Sequence, residues 1–354
     1  ATLRCFSRSY PIAATFQEAM AIGVLRRQRA SETVKQRRLL PQVLLAFAFG
    51  CAISLRGRWS DEVKDSLFAS TAFTAAKAPA PSTLSAAAAT GSADQASKRL
   101  LVLGGNGYVG REVCKLAVER GYKVSSLSRR GENPEPGNEL LDQVRWIQGN
   151  AADEELLKGL VAEADAAVHA IGLLFDANSG LTNLNLIVSG SGSVPDDTST
   201  YDMTTRKTAF NLINAIKSKW KMPFSSEPPM PLMFVSAAEA GWPDVALGPE
   251  VEQVAPNWLQ EYLVAKRAVE GELMSSTDVL RPAIFRPSLI WSWTKFDVLP
   301  VIPVFNILSA LGVPFVDKTV TVFTLSKAIM AGLEDSSISG VQRFEQMENL
   351  EQAI

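Results

Sequence analysis

Two groups of residues in this chain have types and spacing that could do chemistry. The first is the turn Gly104-Gly105-Asn106-Gly107-Tyr108-Val109-Gly110. Its glycines at 104, 107 and 110 follow a short apolar run and precede an amphipathic one. Such glycines make a tight turn, let a backbone approach a pyrophosphate, and let a helix pack on a strand. The second is Tyr262 with Lys266, four residues apart in YLVAK. On a helix these positions share a face. A lysine ammonium beside a phenol lowers its pKa, so Tyr262 could pass a proton to or from a substrate oxygen. Lys266 could also hold a nicotinamide ribose. Ser236, ending the apolar run Leu232–Ser236, could hydrogen-bond the same oxygen. Alone, each pattern has an ordinary reading: a connector turn, a tyrosine packed on a surface, a solvated lysine.

The elements that must position them are legible in order. Leu100–Leu103 reads as a buried strand. A helix follows with Val109, Val113, Leu116 and Ala117 on one face, stopped by Gly121. Lys123–Leu127 is a second strand. An NAD site wants a carboxylate about 20 residues past the glycines, to accept from the ribose 2′-hydroxyl. This chain has Ser128-Arg129-Arg130 there. A guanidinium at that place pairs with a 2′-phosphate, which favours NADP(H) over NAD(H). Val144–Ile147 reads as a third strand, Asp153–Val161 as a helix, and Asp165–Ala170 as a fourth strand. Gly172–Thr200 reads as a surface insertion. Helices are expected over Tyr201–Trp220, Trp258–Met274 and Leu325–Leu333, and strands over Leu232–Ser236 and Val279–Arg286. Strands alternating with helices predict an α/β fold, a Rossmann-type doubly wound parallel sheet. A small C-terminal substrate lobe is expected around Val298–Phe315, apolar and broken by proline, with Trp291 and Trp293 ahead of it. That region could house a prenyl quinone, meet a membrane, or cap the core. His169, at the end of the fourth strand, reads as a structural histidine.

Composition bounds the function. The 354 residues are 47% hydrophobic and carry a formal net charge of −2, which excludes a generally basic nucleic-acid binder. No nucleic-acid motif or internal repeat appears. The three cysteines, Cys5, Cys51 and Cys114, lie far apart and offer neither a zinc spacing nor a disulfide framework. With one histidine, no histidine-based metal site or Ser-His-Asp triad is expected.

Residues 1–97 read as a targeting or disordered extension. The first 40 contain eight Arg or Lys and two acids, Glu18 and Glu32. The apolar run 39–55, broken by Pro41, Gln42 and Ser54, falls short of the ~20 residues that span a bilayer comfortably. It suits a signal-type segment or a marginal anchor. Residues 66–93 hold eleven Ala, nine Ser or Thr and no acid, as in a plastid transit segment or an alanine-rich linker. Organelle import follows as the expectation, plastid slightly ahead of mitochondrion. The chain opens on Ala rather than Met, so the true start is expected to lie upstream. The dinucleotide-binding domain is expected over 98–346, with 347–354 as a tail.

GGNGYVG, SRR, FVSA, YLVAKRAVEGEL and IFRPSLI, in that order, resemble an atypical or extended short-chain dehydrogenase/reductase over about 98–346. The finer resemblance is to the branch of the complex I dehydrogenase-like accessory subunit and of organellar proteins linked to coenzyme Q (ubiquinone) biosynthesis, with their plastid counterparts. The resemblance implies a pyrophosphate held at residues 104–110 and a 2′-phosphate at Arg129. It implies Ser236, Tyr262 and Lys266 as the catalytic trio. Arg286, Pro287 and Ser288 would line the nicotinamide side, and Ala170 would border the cofactor. Many relatives have Gly-Asp where this chain has Gly149-Asn150; an amide can still bond an adenine there. Two function classes follow. One is an NADP(H)-dependent oxidoreductase for an apolar carbonyl or quinone-like substrate. The other is a non-catalytic NADP(H)-binding accessory subunit or assembly factor, with a membrane-associated complex as its expected setting.

Overall fold

The computed structural model describes residues 98–179, 182, 185, 195–220, 228–293 and 302–352. The expected extension, with its apolar run 39–55, lies outside the described residues.

β1 (Arg99–Leu103) is buried from Leu100 onward, as a strand covered on both faces must be. α1 (Tyr108–Glu119) buries Val109, Val113, Cys114 and Ala117. It ends where Gly121 turns to φ +80 and Tyr122 N donates to Ala117 O at 3.0 Å. β2 (Lys123–Ser128) and β3 (Arg145–Gln148) follow. α2 (Glu154–Ala162) is capped by Asp153, whose carboxylate accepts from the Glu155 and Leu156 amides. β4 (Ala166–His169) leads through the Gly172–Thr200 stretch to a π-helical turn, Asp202–Lys207, that runs into α3 (Thr208–Trp220). Then come β5 (Met230–Val235), the 3₁₀ segment Ala238–Asp244, α4 (Gly248–Val254) and α5 (Asn257–Met274). The chain finishes with β6 (Leu280–Phe285), β7 (Ile290–Trp291), α6 (Ile302–Ala310), β8 (Val320–Thr321), α7 (Val322–Glu334), β9 (Gly340–Gln342) and α8 (Phe344–Gln352).

Seven strands form one parallel sheet in the order β3-β2-β1-β4-β5-β6-β9, with Leu100 between Val124 and Ala166. The order reverses between β1 and β4, which opens a crevice at the strands' C-terminal ends. One face is covered by α1 and α7, with Met347 of α8 fully buried in the same cluster. The other is covered by α2, α3 and the apolar face of α5. This is the doubly wound α/β sheet that the alternation of elements predicts. β7 and β8 pair outside it as a short two-stranded parallel sheet.

Three details differ from expectation. A seventh strand, β9, is added beside β6; its three residues carry no periodic signal. The expected tail from 347 begins inside α8. The expected surface insertion packs inward where it is described. Phe175 is buried, exchanges hydrogen bonds with buried Asn185, and stacks edge-on against Trp258 at 4.8 Å.

Candidate active site

The crevice holds a cavity of about 790 Å³ that runs from the glycine turn to α5. At its head, Gly104 takes φ +88, and a Cβ there would also sit 3.1 Å from the Ala170 carbonyl. Both facts favour glycine. Gly110 has no room for a side chain either: a Cβ would overlap the Gly104 carbonyl oxygen and stand 2.9 Å from Gly105 Cα. Its glycine therefore seats α1 on the turn. Gly105 has a reason that spacing alone did not assign, since its Cβ would overlap the Ser126 hydroxyl on β2. Gly105 and Gly110 stand behind the wall, whereas Gly104, Asn106, Gly107, Tyr108 and Val109 form it. Gly107 is the N-cap of α1 and brings no side-chain cap, and the first turn holds no acid. Gly107 thus offers the leading amides no side-chain acceptor of its own, which suits an anion such as a pyrophosphate. Asn106, 6% exposed, donates from Nδ2 to the Glu132 carbonyl, while its Oδ1 is buried without a hydrogen-bond partner. A ligand hydroxyl would satisfy it.

The far end of β2 forms the next part of the wall, with Ser128, Arg129, Arg130 and, from the β3 end, Asn150. Ser128 Oγ accepts from Gly131 N at 3.0 Å and shapes the turn. Asn150 Oδ1 accepts from Ala152 N at 2.9 Å. Arg129 Nη1 lies 3.2 Å from both Asp196 Oδ2 and Ser199 Oγ. Asp196 and Ser199 also line the cavity and come from 67 and 70 residues further along the chain. Sequence reading named neither.

At the other end, α5 presents Tyr262, Lys266 and Glu270 at four-residue intervals. Lys266, 1% exposed, donates from Nζ to Val235 O at 2.7 Å. Its ammonium is 4.9 Å from the Phe234 ring centre and 5.6 Å from that of Tyr262. Burial lowers its pKa to about 8, against the pull of Glu270. The expectation that Lys266 lowers the Tyr262 phenol is corrected. Burial, then the nearby Glu239, then Tyr201 push that phenol upward. The ammonium faces the ring and a carbonyl rather than the hydroxyl.

Ser236 is held by a partner absent from the sequence reading. Its Oγ donates to Glu270 Oε1 at 2.5 Å, and Glu270 also takes Arg286 Nε at 3.0 Å and Nη2 at 2.5 Å. Arg286, expected on the nicotinamide side, instead lies beneath the 3₁₀ segment, where a Gly241 Cβ would meet its Nη1 at 2.9 Å. Its guanidinium is drawn off the cavity by Glu270; Pro287, Ser288 and Ala170 do reach the wall. The available signal for Glu270 was its place one turn beyond Lys266 on the same helical face.

Glu239 is the other functional candidate that was missed. It follows Ser236 by three residues, is half-buried, and lines the cavity. Burial pushes its carboxyl up to about 7; its own backbone amide opposes this and Asp317 adds to it. Asp317, also on the wall, is held by Arg343 at 2.6 Å. Around these groups the wall is apolar: Trp242, Trp258, Leu259, Phe305, Leu308 and Phe315. Phe305, Leu308 and Phe315 of the apolar stretch therefore contribute to the cavity, while Trp293 and Leu311 point outward, 73% and 74% exposed. His169 sits apart, buried, with Nε2 2.9 Å from Thr208 Oγ1. Thr208 Oγ1 itself donates to Thr204 O at 2.7 Å. So Nε2 donates, which is a structural role.

Residues 100–291 match the model of the NAD dependent epimerase/dehydratase family. A Saccharomyces cerevisiae protein named MIOREX complex component 2 is 26% identical over 286 residues, 70% of this chain and 98% of that one. A chloroplastic protein of Arabidopsis thaliana is 43% identical over 83 residues, 23% of this chain and 26% of that one. Among solved structures, the Bordetella bronchiseptica enzyme WbmH in complex with NAD+ is 18% identical, with a TM-score of 0.43, covering 70% of this chain and 75% of that chain.

Proposed function

The chain belongs to the NAD dependent epimerase/dehydratase family, and within it we propose an NADP(H)-binding oxidoreductase acting on an apolar carbonyl or quinone-like substrate. One observation carries this reading: a single cavity has the uncapped glycine turn at one end and Tyr262, Lys266 and Ser236 at the other, beside an apolar wall. The leading amides of α1 would hold the pyrophosphate. Arg129 would meet the 2′-phosphate, and Lys266 the nicotinamide ribose. The nicotinamide, when bound, supplies or accepts a hydride. Tyr262 then moves the proton at the substrate oxygen. The phenol is protonated at neutral pH and so carries a proton to give as a carbonyl is reduced, although burial makes it a weaker acid than an exposed tyrosine. Ser236, whose proton goes to Glu270, keeps only acceptor capacity and has no hydrogen left for the substrate oxygen. The aromatic residues exclude water and accept an apolar ring or chain.

A second reading has its own support. The phenol is pushed up rather than down, and the Ser236 hydroxyl is committed to Glu270. The yeast relative is named as a component of a complex. All three favour a non-catalytic NADP(H)-binding subunit or assembly factor. Tyr262→Phe separates the two. It keeps the ring and removes the hydroxyl, so NADPH binding should persist while turnover with quinones or apolar carbonyls falls about 10²–10⁴-fold. Wild type that binds NADPH and oxidises it with no acceptor, with a Tyr262→Phe chain that restores a deletion strain, would support the subunit reading instead.

The organisation fits an organellar protein: residues 1–40 are rich in bases and poor in acids, and one relative is chloroplastic. Plastid and mitochondrion both remain in the proposal, as does a single folded domain from about residue 98. No helix among the described residues is long and apolar enough to cross a membrane.

A further inference from the structure

We propose that Asp196 sets the balance between the two nicotinamide dinucleotides, by neutralising Arg129 and by accepting from the ribose 2′-hydroxyl when NAD(H) occupies the cavity. This rests on the dinucleotide-binding reading above. The end of β2 supplies Ser128, Arg129 and Arg130 but no acid, so the carboxylate that a ribose diol needs is missing from the strand where spacing looks for it. The fold brings one from elsewhere. Asp196 Oδ2 is 3.2 Å from Arg129 Nη1, and both residues line the same part of the cavity.

The carboxylate is anchored from behind. Its Oδ1 accepts from Thr198 N at 3.0 Å, Thr198 Oγ1 at 2.7 Å and Ser199 Oγ at 2.9 Å. Those bonds, led by the Thr198 hydroxyl, hold Asp196 below the usual carboxylate range and so ionised at neutral pH. Oδ2 is the oxygen left for Arg129 or a ligand. Ser199 Oγ also faces Arg129 at 3.2 Å, so the same short segment clasps both groups.

The consequence is a site that reads the 2′ position with two opposite charges. A 2′-phosphate must draw Arg129 from Asp196 and tolerate the carboxylate nearby. A 2′-hydroxyl finds the carboxylate as its acceptor. The arginine favours NADP(H), and Asp196 restrains that preference. Replacing Asp196 with Asn keeps the shape and removes the charge. The pair is half-exposed on both sides, so freeing Arg129 should tighten NADPH by up to about fivefold. Losing a charged acceptor for the hydroxyl should weaken NADH by about tenfold.

Fluorescence titration of the full chain with NADPH and with NADH measures both constants without turnover. Wild type, Asp196→Asn and Arg129→Ala form the set. The expected result is an NADPH-over-NADH preference that rises about tenfold or more in Asp196→Asn and falls in Arg129→Ala. An unchanged preference in Asp196→Asn, with wild type binding NADPH, overturns the role of Asp196 and leaves the dinucleotide reading intact. Wild type that binds neither nucleotide overturns that reading and this inference with it.

Discussion

Glu270→Gln tests the network beneath the cavity. Glu270 and Arg286 have side chains only 7% and 14% exposed, joined by a 2.5 Å and a 3.0 Å bond, and Ser236 adds a third at 2.5 Å. Breaking a buried pair by removing one charge costs about 3–5 kcal/mol, because the other is left uncompensated. The amide oxygen of Gln retains one hydrogen bond, which returns about 1 kcal/mol. The expected loss is therefore about 2–4 kcal/mol, a large part of the 5–15 kcal/mol typical of a domain. Urea denaturation at pH 7 reads it as a fall in midpoint with little change in slope. A Glu270→Met, Arg286→Met double variant removes both charges and should recover most of the loss. If Glu270→Gln costs less than about 1 kcal/mol, or the double variant is no better than the single, the pair is not the buried network described here.

Other perturbations address separate parts of the account. Gly110→Ala forces a Cβ against the Gly104 backbone and should cost about 1–3 kcal/mol. Gly159→Ala, in α2 with nothing within 4 Å, should gain about 0.5–1 kcal/mol; thermal melts that rank them alike would contradict the packing argument. Burial, with help from the Lys266 charge, lowers His169 from 6.5 to about 3. Between those values the unfolded chain binds a proton that the folded chain does not, so stability falls as pH falls from 6.5 toward 3. By pH 5 that is about 2 kcal/mol, and His169→Gln should flatten the slope in denaturation runs across that range. In a pH–rate profile with NADPH, Glu239→Gln should remove an ionisation near 7; its persistence would assign that step elsewhere.

The sheet was legible because strands such as β1 are short apolar runs and helices such as α1 carry a 3.6-residue stripe. Leu100–Leu103 and Val113 with Ala117 needed no tertiary knowledge. The strand β9 was hidden because Gly340–Gln342 is too short to have a period. The site divided similarly. Glycine spacing and the Tyr262–Lys266 step are local patterns, so their residues could be named in advance. Asp196, Glu239 and Glu270 are ordinary acids in sequence, and their meaning comes from what the fold sets opposite them: Arg129, an apolar wall, and Ser236 with Arg286. The Lys266 expectation failed for the same reason. Four-residue spacing put it on the tyrosine's face, but only the fold revealed that its proton goes to the Val235 carbonyl.

The central claim, a dinucleotide held between the glycine turn and α5, is tested most directly by titrating NADPH into the full chain and following the nucleotide's fluorescence. The account predicts saturable binding, weakened about tenfold or more in Arg129→Asp, where a charge-assisted contact becomes a repulsion. NADPH that fails to bind at millimolar concentration, or that binds Arg129→Asp as tightly as wild type, would contradict it.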